Sequence, residues 1–140
     1  MEIKQQTRLN FLGIDILSLQ FQSEAPHNAE EEIKLTINPK VHYPEGDPDS
    51  FSIVMSVLAE CQMSFTLNVV AVGRFTLDSD AEEGMRKAFV NLNAPAIMFP
   101  YVRSFISTMT ANMGKSVSTL TIPPHFFKGQ LEEIQDDSHE

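Results

Sequence analysis

The chain has no tryptophan, a single cysteine at position 61, and only 6 glycines in 140 residues. With Cys61 alone there can be no intramolecular disulfide, which excludes the disulfide-stapled class of small secreted domains and fits a reducing compartment. Basic residues are scarce: 10 lysines and arginines stand against 19 aspartates and glutamates, a formal charge of −9. That balance argues against nucleic acid or an anionic membrane as a partner, since both select for basic surface. No apolar run approaches the roughly 20 residues that a membrane helix needs. No basic-then-apolar leader opens the chain. The cytoplasm is the expected location.

The signatures of catalysis and metal binding are missing as well. Gly114, Lys115 and Ser116 resemble the end of a phosphate loop, but the glycine required five positions earlier is Met109, and the triplet follows a helix rather than a strand. A helix cap explains Gly114 better. His27, His42, His125 and His139 show no paired spacing, and there is no cysteine–histidine cluster to hold zinc. Cys61 sits within an apolar alternation, where it serves as a small hydrophobe. The run Glu30, Glu31, Glu32 reads as a solvated loop leading into a strand. Neither a nucleophile elbow nor a nucleotide site is visible. The expectation is no enzyme, no metal and no cofactor.

What the chain does have is period-two alternation followed by helical periodicity. Residues 33–43 (IKLTINPKVHY) place Ile33, Leu35, Ile37, Val41 and Tyr43 on one side, as in a half-buried strand. Pro39 cannot donate to a ladder, so this strand belongs at a sheet edge or a bulge. Residues 44–50 (PEGDPDS) form a loop. A second alternation from Phe51 to Leu77 is too long for one strand and should fold back near 60–63. The first strand, about 9–21, changes phase near Gly13, which calls for a bulge. Ser79 to Glu82 carries a capping-box pattern that opens a helix through Met85, Ala88, Phe89 and Leu92.

Pro95 and Pro100 read as breaks or first-turn residues. The main helix is then expected from about Pro100 to Asn112. Its stripe is Tyr101, Val102, Phe105, Ile106, Met109 and Met113, and Gly114 supplies the left-handed cap. A short helix from about His125 to Gln135 comes next. Strands first and helices last describe one α+β domain over residues 1–140, a four-stranded antiparallel sheet with helices on one face. Glu132 to Glu140 reads as an acidic, partly disordered tail from about 132. Ten phenylalanines and seven methionines exceed what sealing one sheet face requires. They serve either as plain core, or in part as a subunit interface and a groove for apolar peptide, a role to which flexible methionine is suited.

Several segments resemble the SecB family of protein-export chaperones, in matching order. The family's F-P-Y helix is similar to Phe99, Pro100 and Tyr101 with the run up to Asn112, and its L-x-x-P segment to 120–127 (LTIPPHFF). The strand ending F-E-A-P is similar to Phe21 with Glu24, Ala25 and Pro26, although two residues intervene. The ending G-G-x-F-x-I is similar to Val72 through Leu77, with only Gly73 of the two glycines. The likeness spans roughly residues 9 to 134.

This resemblance implies a tetramer built as a dimer of dimers, without cofactor or ATP. It also implies a holdase that keeps unfolded export precursors soluble and passes them to the SecA translocase motor. By the same resemblance, Ile33, Leu35, Ile37, Tyr43, Phe127 and Leu131 line the client groove, and Phe65, Leu67, Val69 and Ala71 lie at or beside the subunit interface. The motor-contact surface falls on Gln20, Glu24, Thr66 and Asn68, of which only Glu24 is acidic. The alternative is a binding module of the same fold dedicated to one partner, for example a toxin–antitoxin pair.

Overall fold

The fold was analysed in a computed structural model that describes residues 8–25, 31–78, 80–114, 117–125 and 127–134. Four strands come first: β1 (Leu9–Ser23), β2 (Lys34–His42), β3 (Ser50–Cys61) and β4 (Phe65–Leu77). Helix α1 (Glu83–Ala88) runs through a π-helical turn (Phe89–Asn93) into α2 (Ala94–Ala111), and a two-residue strand β5 (Glu132–Glu133) closes the order. The sheet order is β1-β4-β3-β2-β5. Every pairing is antiparallel except β2 with β5, which is parallel.

The alternation fixes the faces. Ile53, Met55, Val57 and Ala59 of β3 and Phe65, Leu67, Val69 and Ala71 of β4 are all buried. They meet Ala94, Met98, Val102 and Ile106 of α2 in one core. The expected fold-back lies at Gln62–Ser64, where Met63 takes φ +69. The bulge expected near Gly13 is present: the β1–β4 register jumps between Phe11 and Ile14, and Gly13 has φ +107. A second jump between Ile16 and Ser18 had no glycine to announce it.

Gly73 explains the lone glycine of the β4 ending. A Cβ there would lie 3.1 Å from Met98 Sδ and 3.2 Å from the Phe75 ring, so the missing side chain lets α2 close onto the sheet. Gly73→Leu should therefore lower unfolding free energy by about 1–3 kcal/mol, the usual range for overpacking. Chemical denaturation should show an earlier midpoint, whereas an unchanged midpoint would mean that α2 does not need this close approach.

Four expectations are corrected. First, the sheet has five strands of mixed direction rather than four antiparallel ones. Glu132 and Glu133 lack apolar alternation and join by backbone: Ile134 N–H donates to Val41 C=O at 2.8 Å, while Lys40 pairs with Glu132 at 3.7 Å. The expected tail thus begins with a strand at 132. Second, no helix forms among the described residues of 125–134; the backbone there is extended and turns at Gly129, φ +83.

Third, α2 starts at Ala94 rather than near Pro100: Pro95 is a first-turn residue, as one of the two expected roles has it, but Pro100 lies inside the helix without breaking it. The π turn, in which Ala94 N–H reaches Phe89 C=O, ends just before Pro95, in the first turn of α2 where a missing N–H is tolerated. Pro100 leaves the Ala96 carbonyl without its helical donor, but both residues are exposed, so water can replace the lost partner. Burial of Met98, Phe99, Val102 and Ile106 outweighs the roughly 3 kcal/mol that an internal proline costs. Fourth, α1 starts at Glu83 with no side-chain cap bond from Glu82; Ser79 of the capping box lies outside the described residues. The end of α2 is as expected, with Gly114 at φ +88.

Beyond α2 the chain returns along the helix. Thr110, fully buried, donates to Ile106 C=O at 2.8 Å and accepts Leu120 N–H at 2.8 Å. Ser107 and Arg103 donate to the carbonyls of Leu120 and Ile122. These bonds seat Val117, Leu120 and Ile122 in the core and deliver the chain to the β2 edge. Among the described residues no helix is long and apolar enough to cross a membrane.

Candidate functional site

The edge of β2 is built by alternation and by proline. Val41 turns its carbonyl away from β3 towards Ile134, so two-residue alternation points Pro39 to that same edge. The missing N–H of Pro39 therefore subtracts nothing from the β2–β3 ladder. β5 covers only Lys40 and Val41. Pro39 does lie where the ladder is one-sided, as its chemistry requires.

Residues 127–134 cross beside this edge with three fastenings. Leu131 N–H donates to Asn91 Oδ1 at 2.8 Å, Ile134 N–H to Val41, and Lys40 pairs with Glu132. Asn91 belongs to the π turn and is itself oriented by donating Nδ2 to Lys87 C=O at 2.9 Å. Phe127 meets Phe99 edge-on at 5.5 Å and His125 at 4.7 Å. The Arg103 guanidinium lies over the Phe99 ring at 5.9 Å.

Two clefts flank Leu131. One, of about 390 Å³, is lined by Ile37, Pro39, His125, Phe127 and Leu131. The other, of about 330 Å³, is lined by Tyr43, Phe51, Glu83, Val90, Leu131 and Glu133. Burial first, and then the Glu133 and Glu83 carboxylates, push the Tyr43 phenol above its ordinary value. Tyr43 thus remains a neutral donor at the cleft mouth. Arg86 fixes the far wall, donating to Asp49 Oδ1 at 2.6 Å and to the Ala81 and Pro48 carbonyls.

Of the six predicted groove residues, Ile37, Tyr43, Phe127 and Leu131 come together around these two clefts. Ile33 lines a different cleft, about 1020 Å³, at the opposite end of β2 with Glu24, Glu31, Glu32 and Glu60. Leu35 is half-buried against the core and lines none of the three. Phe65, Leu67, Val69 and Ala71, expected at or beside the subunit interface, form the inner row of β4. All four are at most 1% exposed within one chain, because β4 is an interior strand and its inner row faces the core.

Gln20, Glu24, Thr66 and Asn68 do share one region of the outer face: Gln20 lies opposite Asn68 and Gln22 opposite Thr66, while Gln22 donates to Glu24 at 2.9 Å. Sequence reasoning missed Asn91, Arg86 and the role of Glu31. Glu31 accepts from Ser64 Oγ at 2.7 Å and from Cys61 Sγ at 3.2 Å. Burial and then the Glu31 bond raise the Cys61 thiol pKa, so Cys61 stays a buried thiol. No periodicity marks any of these three residues; only the fold brings their partners near.

Compared with known families, residues 5–128 match SecB, the preprotein translocase subunit. The chain belongs to the SecB family. Two further likenesses agree with it. The uncharacterized protein MJ0357 of Methanocaldococcus jannaschii is 27% identical over 147 aligned positions, which span 100% of this chain and 93% of the relative. A solved structure of the Mycobacterium tuberculosis Rv1957 SecB-like chaperone, in complex with a ChAD peptide from the Rv1956 HigA1 antitoxin, superposes with a TM-score of 0.65. It is 18% identical, with 83% of this chain and 91% of that chain covered. The SecB fold is thus shared at low identity.

Proposed function

We propose that this SecB-family chain is an ATP-independent holdase that binds apolar segments of unfolded polypeptide at the clefts flanking Leu131. The observation that carries the reading is the meeting of Ile37, Tyr43, Phe127 and Leu131 beside a one-sided sheet edge. Side chains entering such clefts gain roughly 25 cal/mol per Å² of apolar area removed from water. Many weak sites in an assembly of several copies add avidity without any nucleotide. A dimer-of-dimers tetramer supplies that multiplicity in this reading, and a cytoplasmic location supplies unfolded precursors.

Delivery to SecA is the finer part of the proposal. It would use the outer face at Gln20, Glu24, Thr66 and Asn68, where Glu24 is the one acid. The second reading, a module dedicated to one partner, draws support from the solved neighbour, whose bound peptide comes from an antitoxin. A panel of unrelated unfolded proteins separates the two. A general chaperone binds most of the panel with similar affinity. A dedicated module ignores the panel and binds only its own partner.

A further inference from the structure

Residues 127–134 do more than line the groove: they divide it. Gln130 and Leu131 border both clefts, so this segment lies between the two volumes. Each is near the small end of the range for ligand sites and suits one or two side chains, whereas an extended polypeptide advances about 3.3 Å per residue and needs a continuous channel. The fastenings of the segment are few. Among the described residues its polar ties are the Asn91–Leu131 hydrogen bond, a two-residue parallel pairing and an ion pair between partly exposed side chains, and its apolar anchors Phe127 and Leu131 are only half-buried against the core.

We infer that residues 127–134 form a displaceable strap with Asn91 as its latch: fastened, it splits the groove, and released, it joins the two clefts along β2. This rests on the chaperone reading above. A long client and the fastened strap then exclude one another, while a ligand small enough for one cleft is indifferent to the strap. Asn91 is a positioning residue here. It touches the strap backbone and lets the π turn, through Asn91, govern access to the groove. A ligand that binds only the open form shifts the equilibrium by its preference for that form.

Two measurements on the full chain test this. In Asn91→Ala, hydrogen exchange at the Leu131 and Ile134 amides should speed up by about tenfold while core amides of β3 and α2 keep their protection. Unchanged exchange at those two amides overturns the latch. In the double variant Lys40→Cys with Glu132→Cys, the strap can be bolted to β2, since paired strands bring Cα atoms within disulfide range. The oxidised form should bind reduced, carboxymethylated α-lactalbumin about tenfold more weakly than its reduced form. A labelled apolar pentapeptide should bind both forms alike. Equal affinity of the two forms for the long client overturns the strap. If the unmodified chain binds neither probe, the chaperone reading itself fails, and the exchange experiment still decides the latch.

Discussion

Val69→Asp should abolish the folded protein. Val69 is 0% exposed, paired with Leu19 on one side and Val57 on the other, inside the core that α2 covers. Among the described residues no basic group joins that core cluster, and an unpaired buried carboxylate costs several kcal/mol or is neutralised at a similar penalty. Domains of this size have only about 5–15 kcal/mol in hand. Circular dichroism and sedimentation should show aggregated or unfolded material, while Asn68→Asp, one residue away on the outer face, stays soluble and folded. A folded Val69→Asp protein with altered subunit number would place this row at the subunit interface.

The second large effect is on client affinity. Ile37→Ser with Phe127→Ser removes two apolar walls of the cleft of about 390 Å³ beside Leu131. Both residues are only half-buried, so the fold should survive. Burying such side chains contributes about 1.5–3 kcal/mol each. Fluorescence anisotropy with a labelled unfolded client should therefore show a loss of about a hundredfold to ten-thousandfold. Gln20→Ala with Asn68→Ala, on the outer face, should leave the affinity unchanged. If the first pair lowers the melting temperature while client affinity holds, Ile37 and Phe127 are plain core.

The sheet was legible because its two faces differ chemically along β3 and β4. So long an alternation leaves one arrangement, and Gly13 and Gly114 mark a bulge and a cap through φ values that other residues resist. Proline was legible where it removes a donor at an edge, as with Pro39. It was legible too at Pro95, a first-turn residue of α2, and misled at Pro100, where an exposed carbonyl absorbs the loss. β5 was invisible because Glu132 and Glu133 enter the sheet through backbone atoms, and backbone atoms carry no sequence pattern.

The site was half legible for the same reason. An apolar row on β2 and an apolar end near Phe127 announce surfaces that need covering. Which of them meet depends on contacts such as that of Asn91, whose side chain accepts from Leu131 N–H across 40 positions of sequence. The inner row of β4 shows the converse limit: its apolar character was visible, but alternation alone does not say that a helix of the same chain covers it.

The central claim is passive protection of unfolded polypeptide, and light scattering tests it most directly. A chemically denatured protein unrelated to this chain is diluted into nucleotide-free buffer, with increasing amounts of the folded chain present. The account predicts that scattering falls progressively and is largely suppressed at a few-fold molar excess, with no further change on adding ATP. Scattering that is unchanged at that excess, or that falls only when ATP is supplied, would contradict it.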